Sequence, residues 1–311
     1  MSNTQTILVT GINGFVGHHL AAELKSRNLS VIGLGHDGRP TEEVSKYIDT
    51  YIGCDLTNEA AVKEVDFSKV DVIIHLAGLA SQGMSFAEPR RFIADNSAMI
   101  INLFEAAMSQ QLNHKPRFIV VSSGAVYDNN QPMPLTEDSR TTNASPYVIS
   151  KLLTEDLCGY YQSRGFDCVI ARPFNHIGPG QSPGFLLPDL VSQIREATES
   201  KEPMKVGNLK SRRDYTDVRD VVKAYALLAT TEKLHHRLYN ICSGGSTSGE
   251  ELLAMITKEL YAKKVNVVVD PNKLRPNDPP EIYGSYERLA IDTGWKPTLP
   301  LETTIRDFIK G

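Results

Sequence analysis

Short runs of β-branched and other apolar residues alternate with longer amphipathic stretches through the first half of this chain of 311 residues. Near-continuous apolar runs predict strands buried on both faces, and the stretches between them predict helices. The predicted strands are residues 6–10, 30–34, 50–55, 71–76, 117–122 and 167–172, and the predicted helices are residues 15–27, 60–64, 89–111 and 146–164. This alternation indicates an α/β fold, a doubly wound parallel sheet covered by helices on both faces.

A glycine-rich turn, TGINGFVG, follows the first predicted strand and opens an amphipathic helix. Gly11 permits the tight turn, Gly14 lets the backbone approach a pyrophosphate, and Gly17 lets the helix pack closely on the strand. The start of a helix also offers unpaired N–H groups to an anion. The turn therefore predicts a Rossmann-type dinucleotide site. Its lining would further include Asn13, Phe15 and Val16.

The segment after the second predicted strand bears on the choice of dinucleotide. An acidic residue at the end of that strand favours NAD, but Gly35 stands there. Asp37 is still within reach of the ribose hydroxyls, whereas His36 and Arg39 are suited to a 2′-phosphate. We therefore expect NADP(H) or NAD(H), with a slight preference for NADP(H).

Other positions near the carboxyl ends of the predicted strands complete the expected cofactor site, because open α/β sheets bind ligands at that edge. They are Asp55, Leu56, Leu76, Ala77, Gly78, Asn96, Val121, Pro173 and Phe174. Asp55 and Leu56 are expected either to face the adenine or to form a solvated loop. Ala77 and Gly78 would let the nicotinamide ribose approach.

A tyrosine and a lysine lie four residues apart on one face of a predicted helix, at Tyr147 and Lys151. An ammonium stabilises a phenolate, so Lys151 is expected to lower the pKa of Tyr147. Such a tyrosine protonates a carbonyl oxygen as hydride reaches the carbon, or takes the proton back in reverse. Ser123, after the fifth predicted strand, would donate a hydrogen bond to the developing alkoxide of the substrate. Both Tyr147 and Lys151 would also contact the cofactor.

The pattern changes after residue 171, where PFNHIGPGQSPGFLLP is dense in glycine and proline. Helical patterns return at residues 187–200, 218–230 and 250–261. We expect a dinucleotide-binding domain over residues 1–171, with return segments near 212–243. A smaller C-terminal α/β substrate-binding domain over residues 172–311 would cap the carboxyl edge of the sheet.

Charge, cysteine content and hydropathy exclude several other classes of protein. The chain has 33 Lys and Arg against 37 Asp and Glu, a net charge of −4, which argues against a nucleic-acid surface. Its four cysteines lack the spacing of a zinc site or a disulfide framework, and no metal is expected. No apolar run has the length of a membrane helix, and MSNTQT does not resemble a signal peptide. We therefore expect a cytoplasmic protein that binds neither nucleic acid nor membrane.

The motifs resemble those of the extended short-chain dehydrogenase/reductases that act on nucleotide-linked sugars. The resemblance covers nearly the whole chain and rests on TGINGFVG, HLAG, SSGAVY, PYVISK, RPFNHIGPG, RRDYTDVRD and TGWKP. It implies catalysis by Ser123, Tyr147 and Lys151, with Ser123 selected by its place four residues before Tyr127.

The resemblance also implies a homodimer. In the family, the two long helices predicted at residues 89–111 and 146–164 build a four-helix interface between subunits. The apolar residues Ile100, Leu103 and Phe104 are expected to face it.

Within the family, RPFNHIGPGQSPGF, VGNLKSRRDYTDVRDVVKAY, YNICSGG and LRPNDPP look most like the reductases of a GDP-linked keto sugar. The similarity implies reduction of the C4 keto group of GDP-4-keto-6-deoxy-D-mannose, giving GDP-D-rhamnose. Dehydratases of the family carry acidic residues where this chain has Gly124 and Ala125, and dehydration needs that further acid and base. The alternative is a nucleotide-sugar 4-epimerase with tightly bound NAD+. A non-catalytic dinucleotide sensor would not need all three catalytic residues.

Substrate ligands are expected mainly in the second half. Arg213 and Arg275 would bind the diphosphate, because guanidinium groups bind phosphate bidentately; the alternative for each is a solvated surface residue. Asn175 would either bind the sugar or diphosphate or brace its loop. Phe185 would either flank the base or belong to the core, and Ser81 would either touch sugar hydroxyls or form a polar turn.

Overall fold

The structure, a computed structural model, describes residues 4–260, 265–273 and 278–311. Its strands are β1 (Thr6–Thr10), β2 (Ser30–Gly35), β3 (Thr50–Gly53), β4 (Val72–His75), β5 (Arg117–Val121), β6 (Cys168–Pro173), β7 (Asn175–Ile177), β8 (Met204–Val206), β9 (Arg212–Arg213), β10 (Tyr215–Asp217), β11 (Leu238–Ile241), β12 (Thr247–Ser248), β13 (Val267–Val269) and β14 (Glu281–Ile282). Its α-helices are α1 (Phe15–Ser26), α2 (Glu42–Ser45), α3 (Glu59–Lys63), α4 (Gln82–Ala87), α5 (Pro89–Ser109), α6 (Pro146–Ser163), α7 (Leu186–Ser200), α8 (Val218–Thr230), α9 (Gly249–Glu259), α10 (Glu287–Thr293) and α11 (Leu301–Lys310).

A seven-stranded parallel sheet forms the centre of the molecule, in the order β11-β6-β5-β4-β1-β2-β3. The predicted α/β fold with a doubly wound parallel sheet is confirmed. The strand order reverses between β1 and β4, and this switch point leaves a crevice at the carboxyl ends of the strands. The candidate site is therefore set by the loops that follow β1, β4, β5 and β6.

Both faces of the sheet are covered, because alternate side chains of each strand enter different cores. In β1, Ile7 and Val9 belong to the core under α1 and α8, whereas Leu8 belongs to the core under α5 and α6. All three side chains are fully buried. Burial on both faces explains why these strands are apolar runs rather than alternating ones.

The residues expected at a dimer interface lie instead inside the subunit. Ile100, Leu103 and Phe104 are fully buried, and the Phe104 ring stacks on Phe118 and Tyr161 with centroids 4.0 and 4.2 Å apart. The prediction that they face a partner is wrong. Helix α5 is apolar on more than one side, and these three residues form the side that packs on the sheet and α6.

The C-terminal half carries a separate core between α7, α9 and α11. Its buried members include Leu190, Ile194, Leu252, Ile256 and Ile305. Short strands pair around it as β12-β9-β14, β10-β7 and β13-β8. The domain boundary at residue 171 stays a prediction.

Among the residues described, no helix is both long and apolar enough to cross a membrane. The expected cytoplasmic location stays a prediction.

Candidate active site

The glycine turn after β1 is packed against the end of β4. Gly11 has φ of +68°, and a Cβ there would lie 2.9 Å from the backbone nitrogen of Ala77. A Cβ on Gly17 would lie 2.4 Å from the carbonyl oxygen of Ile12. The backbone N–H of Gly14 donates to Gly11 O at 3.0 Å. These glycines are required by the close approach of backbone to backbone.

The start of α1 fits the pyrophosphate of a dinucleotide. Its N-cap, Gly14, has an extended backbone and provides no side-chain cap for the N–H groups of the first turn. No acidic residue stands in that turn. Uncapped N–H groups at the positive end of a helix dipole form an anion site. Phe15 and Val16, both partly buried, begin the helix there.

A buried histidine that the sequence analysis did not assign links β1 to β4. His75 Nδ1 lies 2.9 Å from Thr10 Oγ1, which in turn accepts the N–H of Ala77 at 3.1 Å. Burial, together with the charge of Lys151, lowers the pKa of His75 to about 3. His75 is therefore neutral, and its signal in the sequence was its place as the last residue of an apolar strand.

Most of the residues expected near the adenosine ribose form hydrogen bonds within the protein. Asn13 Nδ2 donates to Asp37 Oδ2 at 2.8 Å, and Asn13 Oδ1 accepts the N–H of Thr41 at 3.1 Å. The Asn13 amide thus braces the loop after β2, and the expected contact of Asn13 with the cofactor stays a prediction. Tyr51, which the sequence analysis missed, donates to Asp37 O at 2.8 Å. A Cβ on Gly35 would lie 2.8 Å from the Tyr51 hydroxyl.

Two exposed basic residues follow β2. The His36 side chain is 84% exposed and lies 3.3 Å from Asp37 Oδ1, and Arg39 is also exposed. Asp55 Oδ1 accepts the backbone N–H of Thr57 at 2.9 Å, which matches the expected alternative of a loop rather than a contact with the adenine. Leu56 is 5% exposed and packs in the core under α5 rather than facing a ligand.

The loop after β4 passes close to the Lys151 side chain. Gly78 is exposed, and a Cβ there would lie 3.9 Å from Lys151 Nζ. Leu76 and Ala77 are partly buried beside it. Asn96 was expected to contact the cofactor, but its Oδ1 accepts the N–H of Leu79 at 2.8 Å and its Nδ2 donates to Ser150 at 3.0 Å. This side chain braces the loop after β4, and its contact with the cofactor stays a prediction.

Helix α6 brings the three expected catalytic residues together. Ser145 caps the helix by accepting the N–H of Val148 at 3.2 Å, and Pro146 occupies the first turn. The Ser123 hydroxyl lies near the Tyr147 phenol, where it lowers the pKa of that phenol. Lys151 Nζ lies 5.9 Å from the centroid of the Tyr147 ring. A hydroxyl, a phenol and an ammonium thus meet at the carboxyl ends of the strands.

The pKa values in this cluster differ from the expectation. Burial raises the pKa of Tyr147, and the Ser123 hydroxyl opposes this only in part. Burial lowers the pKa of Lys151 to about 8, and Glu155 counteracts the effect. The predicted lowering of the Tyr147 pKa is wrong here, since Lys151 donates to the carbonyl of Val121 at 2.8 Å rather than to the phenol.

Phe174 explains the absence of a side chain at position 124. Its ring is 7% exposed, and a Cβ on Gly124 would lie 2.9 Å from that ring. A side chain at position 124 has no room. Phe174 and Pro173 were expected to contact the cofactor, but both are buried. The Phe174 ring packs beside Tyr127, with centroids 6.1 Å apart. The cofactor assignment of Phe174 stays a prediction.

The expected substrate ligands are held by neighbouring residues. Arg213 Nη2 donates to Asp278 Oδ1 at 2.5 Å and Nη1 donates to Pro279 O at 2.9 Å, so its guanidinium is not a free surface cation. Asn175 Nδ2 donates to the carbonyl of Asp214 at 3.2 Å, which matches the loop-bracing alternative. Arg275 lies outside the described residues.

Ser81 and Phe185 stand at the starts of two helices. Ser81 Oγ accepts the N–H of Met84 at 3.4 Å and caps α4, as in the polar-turn alternative. Phe185 is the N-cap of α7 and 46% exposed, so it does not belong to the core.

A cavity of about 650 Å³ lies beside the Arg213–Asp278 pair. Its lining combines apolar and polar side chains: Val206, Gly207, Asn208, Leu209, Lys210, Glu250, Leu253, Val267, Val269 and Asp278. No short motif in the sequence identified this cavity, because its residues come from β8, α9, β13 and the loops between them.

Comparison with known proteins places these features in a family. The pattern of the NAD dependent epimerase/dehydratase family matches residues 7–242. The chain is 30% identical to a GDP-6-deoxy-D-mannose reductase of Pseudomonas aeruginosa, over 98% of this chain and 96% of that protein. It is 26% identical to a UDP-glucose 4-epimerase of Pisum sativum, over 99% of this chain and 95% of that protein.

A solved structure agrees with the fold. The structure of RMD from Pseudomonas aeruginosa complexed with NADPH superimposes with a TM-score of 0.82 and 30% identity, covering 99% of this chain and 98% of that one. The extended short-chain dehydrogenase/reductase resemblance is confirmed, as is the Rossmann-type architecture. This chain belongs to the NAD dependent epimerase/dehydratase family of nucleotide-sugar enzymes.

Proposed function

We propose that this protein is an NAD(P)H-dependent reductase of the C4 keto group of a nucleotide-linked 6-deoxyhexulose. The substrate we assign is GDP-4-keto-6-deoxy-D-mannose and the product GDP-D-rhamnose. The observation that carries the proposal is that Ser123, Tyr147 and Lys151 lie together at the carboxyl edge of the sheet. The reductase at 30% identity supports the choice of reaction.

The residues of the site divide the reaction between them. When bound, NAD(P)H supplies hydride to C4. Tyr147, kept protonated by its raised pKa, donates its proton to the C4 oxygen. Ser123 donates a hydrogen bond to that oxygen, and the Lys151 ammonium stabilises the phenolate that remains. Gly124 adds no acid or base, because Phe174 fills the space above it.

The cofactor we propose is NADP(H). Support comes from the two exposed basic residues, His36 and Arg39, beyond a strand end that carries glycine. The Asp37 carboxylate is held by Asn13, which reduces its availability for ribose hydroxyls. The NADPH complex of the related structure agrees with this preference.

The nucleoside part of the substrate is assigned to the cavity of about 650 Å³. Its apolar walls, Val206, Leu253 and Val267, suit the faces of a base, and its polar rim suits hydrogen bonds to the base edge. Arg213 pairs with Asp278, which lines the cavity. A nucleoside bound in the cavity would therefore place its diphosphate near the Arg213 guanidinium.

The second candidate is a 4-epimerase that uses the same catalytic residues. It is favoured by the 26% identity to the Pisum sativum UDP-glucose 4-epimerase. An epimerase recycles its dinucleotide, so bound NAD+ would remain with the purified protein and no reduced cofactor would be consumed.

The decisive experiment follows NADPH oxidation by the purified protein with GDP-4-keto-6-deoxy-D-mannose, generated in situ by a GDP-mannose dehydratase. Oxidation stoichiometric with a GDP-deoxyhexose product is expected. No oxidation, together with NAD+ released on denaturation, would reject the reductase in favour of the epimerase. UDP- and dTDP-sugars would then be screened.

A homodimer through α5 and α6 belongs to the same proposal. The residues that point outward, rather than the buried ones, would form the interface. Ile149 and Tyr160 of α6 are 37% and 47% exposed, and Met84 and Phe86 of the adjoining α4 are 54% and 63% exposed. Sedimentation at micromolar concentration should show a dimer, and a monomer alone would contradict this assignment.

A further inference from the structure

A buried ion pair lies one helical turn beyond Lys151. Glu155 Oε1 accepts Arg172 Nε at 2.9 Å and Glu155 Oε2 accepts Arg172 Nη2 at 2.6 Å. The two side chains are only 10% and 6% exposed. Ser122, the residue before Ser123, also donates its hydroxyl to Glu155 Oε1. The pair therefore joins α6, β6 and the end of β5.

Helix α6 holds two consecutive residues at the end of β5. Lys151 Nζ donates to the carbonyl of Val121 at 2.8 Å, and Glu155 accepts the hydroxyl of Ser122. The next residue, Ser123, lies near the Tyr147 phenol. The distance between the phenol and the serine hydroxyl thus depends on anchors that α6 itself provides.

Stability alone does not explain such a pair. The desolvation of two buried charges offsets most of their attraction, and well-packed apolar residues are often as stabilising. Arg172 stacks over the Tyr127 ring at 4.7 Å, and within the described residues its buried Nη1 has no partner. A buried ion pair that adds little stability points to an effect of the pair on the residues around it.

We propose that Glu155, paired with Arg172, is a positioning residue that keeps the Lys151 ammonium charged and the Ser123 hydroxyl in register with Tyr147. The inference rests on the proposed function, since it concerns the same reaction.

Within the described part of the chain, Glu155 is the one negatively charged group that acts on the Lys151 ammonium. Glu155 is the group that raises the Lys151 pKa against burial. His75 faces Lys151 from β4 and is neutral, with a pKa of about 3. Helix α5 presents the neutral Asn96. Arg172 and Tyr127 face Glu155 from β6 and from the loop after β5.

The test replaces Glu155 by glutamine and measures the pH dependence of NADPH oxidation. Loss of the carboxylate charge should shift the alkaline limb of the profile to lower pH by about one pH unit, while KM for the nucleotide sugar changes less than twofold. The matched control is Asp167→Asn. It breaks the Arg117–Asp167 ion pair at the opposite ends of β5 and β6, where Nε and Oδ2 are 2.7 Å apart, and should leave the profile in place.

A second variant guards against misfolding, because Glu155→Gln leaves Arg172 buried without its counter-ion. The double variant Glu155→Gln/Arg172→Met removes both charges and should show the same shift of the limb. An unshifted profile in both variants, with loss of kcat alone, would reduce Glu155 to a structural role and overturn the proposal.

The protonation of Lys151 can also be measured independently of catalysis. Competitive acetylation of lysines across pH, read by mass spectrometry on the peptide that contains Lys151, should give a lower midpoint in Glu155→Gln than in the unmodified protein. If the unmodified protein does not oxidise NADPH with the sugar, the proposed function fails, whereas the acetylation midpoint still decides the role of Glu155. Equal midpoints would refute it.

Discussion

At the scale of single residues, the candidate site combines a phenol with a raised pKa and an ammonium with a lowered one. Both changes have burial as their main cause. Burial disfavours whichever form is charged, so Tyr147 stays neutral, whereas Lys151, with a pKa of about 8, is still mostly an ammonium at pH 7. This arrangement suits a reductase, which needs a protonated acid before hydride transfer and a cation after it.

Replacing Tyr147 by phenylalanine removes the proton donor and leaves the ring. We expect kcat for carbonyl reduction to fall about 10²–10⁴-fold, with the dissociation constant for NADPH nearly unchanged. The matched control is Tyr160→Phe on the same helix, where the side chain is 47% exposed; it should keep full activity. Tyr147→Phe with intact kcat would show that another group supplies the proton.

Replacing Lys151 by methionine should stabilise the fold while abolishing activity. The folded-state pKa of about 8 lies below the ordinary lysine pKa of 10.5, so the unfolded chain binds the extra proton between these values. The unfavourable effect of Lys151 is therefore full below pH 8 and is relieved as pH rises toward 10.5. From this difference of about 2.5 pKa units we expect a gain of about 3 kcal/mol at pH 7.

Urea unfolding at pH 7 and pH 9 checks the Lys151→Met prediction. The advantage of the variant should shrink at pH 9, because part of the wild-type lysine is neutral there. An advantage that is the same at both pH values would mean that the lysine charge is not the source of the effect.

At the scale of elements, the sequence was informative where the cause was local. The strands around the switch point and the turn TGINGFVG follow from hydrophobic pattern and glycine spacing. Side chains whose partners are distant in sequence were not predictable. Asn96 binds Leu79 across 17 residues and Asn13 binds Asp37 across 24. The inward face of α5 at Phe104 was mistaken for an interface for the same reason.

Gly17→Ala tests the packing of α1 on the turn. A Cβ would stand 2.4 and 2.5 Å from the carbonyl oxygens of Ile12 and Gly11, and backbone atoms have little freedom to move. We expect a loss of more than about 2 kcal/mol in the free energy of unfolding and weaker NADPH binding. Thermal unfolding and a fluorescence titration measure the two effects.

Gly159→Ala is the control for Gly17→Ala, since it is also a helical glycine. No atom lies within 4 Å of its added Cβ, so alanine should stabilise the protein by about 0.5–1 kcal/mol. Equal behaviour of the two variants would mean that helix propensity, not close packing, governs position 17.

At the scale of the whole molecule, the two halves carry different candidate ligand groups. The loops after β1, β2 and β4 offer the uncapped helix start and the basic pair His36 and Arg39. The region around β8, β9 and β13 offers the cavity and Arg213. The proposed catalytic residues lie on α6 and in the loop after β5. Binding of dinucleotide and of sugar nucleotide should therefore be separable by mutation.

Arg213→Met tests this division. Removing a guanidinium from a phosphate site costs charge-assisted hydrogen bonds, so KM for the nucleotide sugar should rise about 10- to 100-fold, while the dissociation constant for NADPH stays within twofold. Arg195→Met, at an exposed position of α7, should change neither quantity. Because Arg213 also binds Asp278 and Pro279, thermal unfolding of both variants separates a loss of fold from a loss of ligand. A folded Arg213→Met protein with unchanged KM would place the diphosphate elsewhere in the crevice.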